Sequence, residues 1–126
     1  MSRTFIILGA LFMFLGVGAG AFGAHGLSSY FAQFPHLEAT WKTAVSYQIY
    51  HALGLFAAAF LAEKYGESSL PRWAGYLFAA GILLFSGSLY LLVFTRTGWF
   101  GAITPFGGFA FLSGWLLILI AAWRGR

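Results

Sequence analysis

The polar side chains best suited to chemistry lie close together in a strongly apolar part of the sequence. Tyr47, Gln48 and His51 fall within five residues, and Ser46 and Tyr50 extend the group. In a helix, residues three or four apart are neighbours, so Tyr47 and Gln48 would both lie beside His51. Histidine can relay a proton or bind a metal, and amide and hydroxyl groups can bind a polar ligand. The same groups can instead form hydrogen bonds that hold helices together.

A second histidine, His25, lies between Gly23 and Gly26 at the end of the first apolar run. It could bind haem or a divalent metal, or relay a proton. A site shared with His51 would require the segment between the two to fold back, because His51 lies about 10 Å inside the second apolar run. The simpler interpretation places His25 at the membrane surface, bonded to a backbone carbonyl at the helix end.

Several residue types that enzymes use are absent or badly placed. The chain has no cysteine, which excludes disulfides, thiolate metal ligands and thiol nucleophiles. Its three carboxylates, Glu38, Glu63 and Glu67, lie outside or at the edge of the apolar runs. Ser86 and Ser88 have no acid or base nearby in the sequence to activate them. We therefore predict that the protein is not an enzyme and has no catalytic residue, metal site or cofactor.

Four apolar runs must position these groups. The chain of 126 residues is 60% hydrophobic and 8% charged, whereas a soluble domain has about a quarter charged residues. The runs cover about 5–24, 44–62, 72–94 and 105–123, and each is long enough to cross ~30 Å of hydrocarbon. We predict a single all-α domain over residues 1–126, an integral membrane bundle of four transmembrane helices. The few positive charges flank the runs, which indicates membrane orientation rather than nucleic-acid binding.

Small residues predict where these helices pack. Gly16 and Gly20 lie four apart, and Gly9, Gly16 and Gly23 recur at the spacing of a left-handed helix seam. The letters of a dinucleotide-binding motif also occur at 18–23, but that motif requires a preceding strand and a soluble helix. The complete set of predicted packing positions is Gly9, Gly16, Gly20, Gly23, Gly54, Ala58, Gly107 and Gly114.

Two connecting segments carry structural signals. Residues 27–42 predict a short amphipathic outer segment between the first two membrane helices, with aromatic side chains suited to the membrane surface. Pro35 can begin a helix there, since proline is tolerated in a first turn. Pro105 has the same role at the fourth run, although a re-entrant or unwound helix start would use the same letters.

Basic residues predict the orientation of the bundle. Four spans place both termini on one side, where five basic residues lie, against two on the other side. The excess places both termini in the cytoplasm. The five are Arg3, Lys64, Arg72, Arg124 and Arg126, and the two are Lys42 and Arg96.

Four sequence blocks together resemble a known family. They are Gly20-Ala-Phe-Gly-Ala-His-Gly-Leu27, residues 41–48 continuing through 51–55, residues 84–90, and residues 101–108 with Gly114-Trp115. They are similar to the small inner-membrane proteins of the YgdD/YwdK type, whose animal relatives are the transmembrane protein 256 group, over essentially the whole chain. The resemblance implies a four-helix protein of the bacterial cytoplasmic membrane, and it implies no activity, because the family is of unknown function. The blocks contain His25, Tyr47, Gln48, His51, Ser86, Ser88 and Tyr90.

Three interpretations of function remain open. The first is a non-enzymatic accessory, assembly or lipid-contacting factor, because packing positions are many and catalytic groups are absent. The second is a small oligomeric transporter or channel, with a polar cavity formed by the seven residues just named. The third is a haem, quinone or metal protein that uses His25 and His51. Expected partners are membrane lipids and a second copy or another membrane protein, with no nucleic acid.

Overall fold

Four long helices dominate the computed structural model, which describes residues 2–125. In chain order the helices are α1 (Ser2–Ala24), α2 (Ser28–Gln33), α3 (Pro35–Lys64), α4 (Leu70–Thr95) and α5 (Thr104–Arg124). All but α2 are long and apolar enough to cross a membrane, and no strand occurs in residues 2–125. The predicted all-α bundle of four membrane helices is therefore confirmed. Arg126, counted above among the basic residues, lies outside the described range.

The long α3 is the central helix of the bundle. It packs against α1 on one side and α4 on another, while α4 and α5 pack against each other. The main core lies where these helices meet, and its buried members include Phe5, Leu55, Ala58, Phe78 and Phe111. Because α3 lies between other helices, its polar side chains can form hydrogen bonds to several of them.

Glycines of α1 form the contact with α3. Gly9, Gly16 and Gly23 are all buried, at the spacing of seven residues. A Cβ added at Gly9 would lie 3.0 Å from the carbonyl oxygen of Ala52, and one added at Gly23 would collide with the Trp41 indole. The missing side chains therefore allow α1 to approach α3 closely, as small residues do in membrane helix pairs.

Other small residues accommodate aromatic rings between α3, α4 and α5. Phe78 lies between Gly54 and Gly114, with 3.1 Å from its ring to a Cβ built on Gly54 and 2.6 Å to one built on Gly114. Gly107 lies against the backbone of Phe85. Because these positions leave no room for a side chain, α5 packs closely against α4 at Gly107 and Gly114.

The two ends of the bundle differ in structure. At the end that carries the chain termini, here called the terminal end, the Ser2 hydroxyl donates to a Glu63 carboxylate oxygen over 2.6 Å. At the opposite end, here called the α2 end, the Tyr30 hydroxyl donates to the carbonyl oxygen of Val93 over 2.7 Å. The segment that contains α2 thus packs across the last turn of α4.

The two prolines singled out from the sequence, Pro35 and Pro105, each begin an ordinary helix. Pro35 lies in the first turn of α3 and Pro105 in the first turn of α5. A 3-10 turn at Gly98–Ala102 leads into α5. The fourth span therefore enters the bundle without an unwound or re-entrant stretch.

Candidate functional site

Gln48 connects three helices at the centre of the bundle. From α3, its Nε2 donates a hydrogen bond to the carbonyl oxygen of Phe12 on α1, over 2.8 Å. Its Oε1 accepts a hydrogen bond from the hydroxyl of Tyr90 on α4, over 2.6 Å. Gln48 is only 4% exposed. A buried amide used in this way satisfies its own polar atoms and ties α1 and α4 to α3.

His51 connects α3 to α5. Its Nδ1 lies 2.7 Å from the carbonyl oxygen of Tyr47, so Nδ1 carries the proton and donates it. Its Nε2 accepts a hydrogen bond from the Trp115 indole N–H over 2.9 Å. The imidazole also stacks on Phe111, with 3.5 Å between ring centroids. Both ring nitrogens are satisfied in the neutral form, which suits a position within the bundle.

Gln48 and His51 therefore bond to different helices, although they lie three residues apart. Gln48 is bonded to α1 and α4, whereas His51 is bonded to α5. Tyr47 is 40% exposed, and its ring lies 4.6 Å from that of Phe85. Of the residues predicted to contact a ligand, Gln48 and Tyr90 are bonded to each other through their side chains, and the His51 ring is bonded to the Tyr47 carbonyl oxygen. A ligand-binding role for the set stays a prediction.

The serines of α4 are bonded to neighbouring backbone and side chains. The Ser86 hydroxyl donates to the carbonyl oxygen of Ala44 over 2.6 Å and is fully buried. The Ser88 hydroxyl donates to the Phe85 carbonyl oxygen over 2.9 Å and lies 2.6 Å from the Thr104 hydroxyl. These bonds link α4 to α3 and to α5, as expected of hydroxyls that stabilise helix packing.

His25 lies far from His51. It follows the end of α1 in an exposed turn, where its carbonyl oxygen accepts a hydrogen bond from the Ser28 hydroxyl over 2.9 Å. Two residues before it, Gly23 packs against Trp41, and Trp41 precedes His51 by ten residues, about 15 Å along α3. The two histidines do not converge, and no cluster of three metal-binding side chains occurs in residues 2–125.

A groove between α1 and α4 was not predicted from the sequence. Near the terminal end the two helices touch, where Phe5 packs against Gly75 and lies edge-on to Tyr76 with 5.3 Å between ring centroids. Towards the α2 end they separate and leave a largely apolar groove of about 350 Å³, here called the α1–α4 groove. Its walls include Phe12 and Leu15 of α1, Trp41 and Gln48 of α3, and Gly87 and Tyr90 of α4.

One wall of the α1–α4 groove is an irregular part of α4. Residues Ile82–Ser86 form a π-helical stretch, and the Gly87 N–H donates to the carbonyl oxygen of Ile82, five residues earlier. Such stretches are rare and occur frequently at functional sites. The sequence feature that could have indicated this stretch is the pair of glycines that flank it, Gly81 and Gly87. Both resemble ordinary packing positions, yet only Gly81 packs against a ring, that of Phe111.

The fold defines a class, that of small integral membrane proteins made of one four-helix bundle. Residues 19–108 match the family model described as protein of unknown function (DUF423), and the chain belongs to that family. UPF0382 membrane protein YwdK of Bacillus subtilis is 52% identical over 120 residues, which cover 95% of this chain and 96% of the relative. UPF0382 membrane protein SAB0533 of Staphylococcus aureus is 45% identical over 123 residues, 97% of each chain. No solved structure matches. The predicted resemblance to YwdK-type proteins is confirmed, and the chain is a membrane protein of unknown function.

Proposed function

We propose that this is a non-enzymatic membrane protein, an accessory, assembly or lipid-contacting factor. The carrying observation is that no buried side-chain nitrogen or oxygen in residues 2–125 lacks a hydrogen-bond partner. Gln48, His51 and Ser86 are each bonded to a neighbouring helix. A substrate that bound to these groups would have to displace the hydrogen bonds that they already make.

The positions of the carboxylates support the same proposal. Glu63 accepts the Ser2 hydroxyl at the terminal end, and Glu38 lies 3.8 Å from Lys42 on an exposed turn of α3. Neither lies within the apolar interior, where proton-coupled transporters and pumps carry their ionisable groups. Neither glutamate is therefore placed for proton coupling, and the two ring nitrogens of the buried His51 are already bonded to Tyr47 and Trp115.

We propose that the protein lies in the bacterial cytoplasmic membrane with both termini in the cytoplasm. The described basic residues Arg3, Lys64, Arg72 and Arg124 favour this orientation, since cytoplasmic segments carry the excess of Lys and Arg.

The chain has no cysteine, so a single introduced cysteine reports on which side of the membrane it lies without background labelling. An impermeant maleimide should label Ser29→Cys in intact cells, and should label Ser69→Cys only after permeabilisation. The reverse pattern would overturn the orientation.

Native mass spectrometry tests the proposed function. The protein is released from its own membranes in mild detergent, so that lipids and partner subunits stay bound. The expected result is a chain or homo-oligomer with retained lipid, or a stable complex with another membrane protein. A discrete non-lipid small molecule, lost on mutation of Gln48 or His51, would overturn the proposal in favour of a ligand site.

A small transporter or channel is the second candidate. The observation that favours it is that Gln48 and Tyr90 lie together in the wall of the α1–α4 groove, which reaches the centre of the bundle. Four helices enclose little space, so a conducting path would require an oligomer. Planar-bilayer recording on reconstituted protein separates the candidates: a reproducible conductance supports a channel, and a silent bilayer together with retained lipid supports the first proposal.

A further inference from the structure

We propose that the α1–α4 groove binds one acyl chain of an anionic phospholipid, whose headgroup is held by Arg96. The proposal deepens the lipid-contacting role proposed above and rests on it. It assigns that role to one part of the molecule and to one class of lipid.

The length of the groove matches one leaflet of a bilayer. On α4 its wall runs from Ile82 to Phe94. These positions are 12 residues apart, about 18 Å, which is roughly half of the ~30 Å hydrocarbon core. Ile82 belongs to the main core cluster, and Phe12 packs against the same cluster, so the groove ends near the middle of the bundle. A phospholipid chain occupies this depth, whereas a transmembrane helix would extend well beyond it.

The volume of the groove suits a slender occupant. A helix of ~10 Å diameter would fill roughly 1,200 Å³ over ~15 Å of its length, whereas the groove measures about 350 Å³. An apolar cavity of ~150 Å³ holds one benzene molecule. A slender hydrocarbon chain fits this space, whereas a helix from a second copy or a partner would enter it with its side chains only.

The walls favour hydrocarbon over a polar ligand. The amide of Gln48 is bonded to Tyr90 and to the Phe12 carbonyl oxygen, and the Trp41 indole N–H donates to the Ala19 carbonyl oxygen over 2.9 Å. These polar groups are thus satisfied by the protein itself. A polar ligand would have to displace those bonds, whereas an acyl chain contacts the remaining apolar surface without disturbing them.

Gly87 makes room for the chain. A Cβ added at Gly87 would meet only the Ile82 carbonyl oxygen, at 4.0 Å, and otherwise open space. The π-helical stretch immediately before it resets the direction of the α4 side chains. A larger residue at position 87 would therefore occupy the groove without straining the helix.

The proposed headgroup contact is Arg96. It follows Phe94, a residue of the groove wall, by two positions and is exposed at the α2 end. Its guanidinium lies 4.5 Å from the centroid of the Phe34 ring. The one salt bridge in residues 2–125 joins Lys42 and Glu38, so no carboxylate neutralises this guanidinium. A planar guanidinium at the membrane surface is well suited to bind a lipid phosphate.

The backbone conformation at Arg96 allows its charge to be removed by substitution without disturbing the end of α4. Its φ of 54° is left-handed, and it is the one non-glycine residue with positive φ in residues 2–125. Glycine adopts this conformation more readily at the end of a helix. Arg96→Gly should therefore leave the helix end intact or stabilise it, while removing the proposed headgroup contact.

The test uses photoactivatable phospholipids. Protein is reconstituted into vesicles of phosphatidylglycerol and phosphatidylcholine that carry a trace of either lipid with a diazirine on one acyl chain. Labelled peptides are mapped after irradiation. We expect adducts to concentrate on the groove walls of α1 and α4 rather than on the outer face of α5. We also expect the phosphatidylglycerol probe to label about tenfold more than the phosphatidylcholine probe, as for a charge-assisted phosphate contact.

Matched variants locate the site. Gly87→Leu should lower groove labelling by about tenfold, whereas Gly108→Leu, at an equally open glycine of α5, should leave it unchanged. Arg96→Gly should reduce the preference for phosphatidylglycerol to near parity while chain labelling persists. If Gly87→Leu fails to fold, Ala19→Leu fills the same groove from α1.

Several outcomes would overturn the assignment. They are even labelling of all lipid-facing helices, labelling that groove-filling variants leave unchanged, an unaltered lipid preference in Arg96→Gly, and displacement of the probe by a short-chain quinone. A cross-link from the groove to a second copy would overturn it as well. If native mass spectrometry finds no retained lipid, the lipid-contacting role itself fails. Retained lipid with unaltered labelling in Gly87→Leu refutes the groove alone.

Discussion

The indole N–H of Trp115 donates to Nε2 of His51 over 2.9 Å, and this bond joins α5 to the central helix α3. The acceptor nitrogen can take this role because the other ring nitrogen keeps its proton for the Tyr47 carbonyl oxygen. The bond therefore depends on one tautomer of the histidine. With this bond, both ring nitrogens of a histidine that lies among aromatic rings have a partner in the protein.

Removing the donor should destabilise the bundle modestly. Trp115→Phe keeps an aromatic ring but leaves the His51 Nε2 without its partner, at a cost of about 1 kcal/mol in the free energy of unfolding. Thermal unfolding in mild detergent measures the loss. Trp123→Phe, at a site 87% exposed, is the matched control and should change nothing. Equal effects of the two substitutions would show that the bond contributes no stability.

The bonds of Gln48 predict a non-additive pair of substitutions. Gln48→Leu should destabilise the fold by about 1–2 kcal/mol, because it removes the acceptor for Tyr90 and the donor to the Phe12 carbonyl oxygen. Tyr90→Phe should cost less, since Gln48 keeps its bond to Phe12. With Gln48→Leu present, Tyr90→Phe should cost almost nothing, because the hydroxyl has already lost its partner. Unfolding free energies of the four proteins test this. Additive losses would contradict the pairing.

The features predicted from the sequence depend on regular helical spacing. Gly9, Gly16 and Gly23 recur every seven residues and lie along one seam, because their spacing alone fixes the side of α1 on which they lie. The partners of Gln48 and His51 were not predictable in this way. Spacing places both on α3 and Tyr47 beside His51, but the bonding partners on other helices lie 36 to 64 residues away in the chain.

The α1–α4 groove was beyond sequence reasoning for a different reason. It arises because α1 meets α4 at Phe5 and Gly75 and leaves a groove further along, and the spacing of residues within each helix does not show how far apart the two helices lie. The π-helical stretch at Ile82–Ser86 likewise has no periodic signal, since one additional residue in a turn does not alter a run that is apolar from Ile82 to Phe85.

The contact between α1 and α3 predicts opposite effects for two glycines of the same helix. Gly23→Ala should destabilise the fold by about 1–3 kcal/mol, because the new Cβ would collide with Trp41. Trp41 cannot readily move away, since its indole N–H is bonded to the Ala19 carbonyl oxygen. Gly18→Ala meets nothing within 4 Å and should stabilise α1 by about 0.5–1 kcal/mol. Thermal unfolding of both variants provides the comparison, and equal shifts would refute the close approach at Gly23.

The segment containing α2 should loosen without loss of the bundle when its hydroxyl contact is removed. The Tyr30 hydroxyl donates to the Val93 carbonyl oxygen over 2.7 Å, and this carbonyl lies in the last turn of α4, close to Arg96. Tyr30→Phe keeps the ring against Phe34, whose centroid lies 5.2 Å away, but removes the bond. The main core lies elsewhere, so we expect the unfolding temperature to fall little. Hydrogen exchange of residues 28–34 should accelerate about tenfold, the effect of losing roughly 1.4 kcal/mol of local stability.

Ser29→Ala, at an exposed position of the same helix, should leave that exchange unchanged. If Tyr30→Phe instead unfolds the whole bundle, the segment is an integral part of the fold. If exchange does not change, its aromatic packing alone holds it across the end of α4.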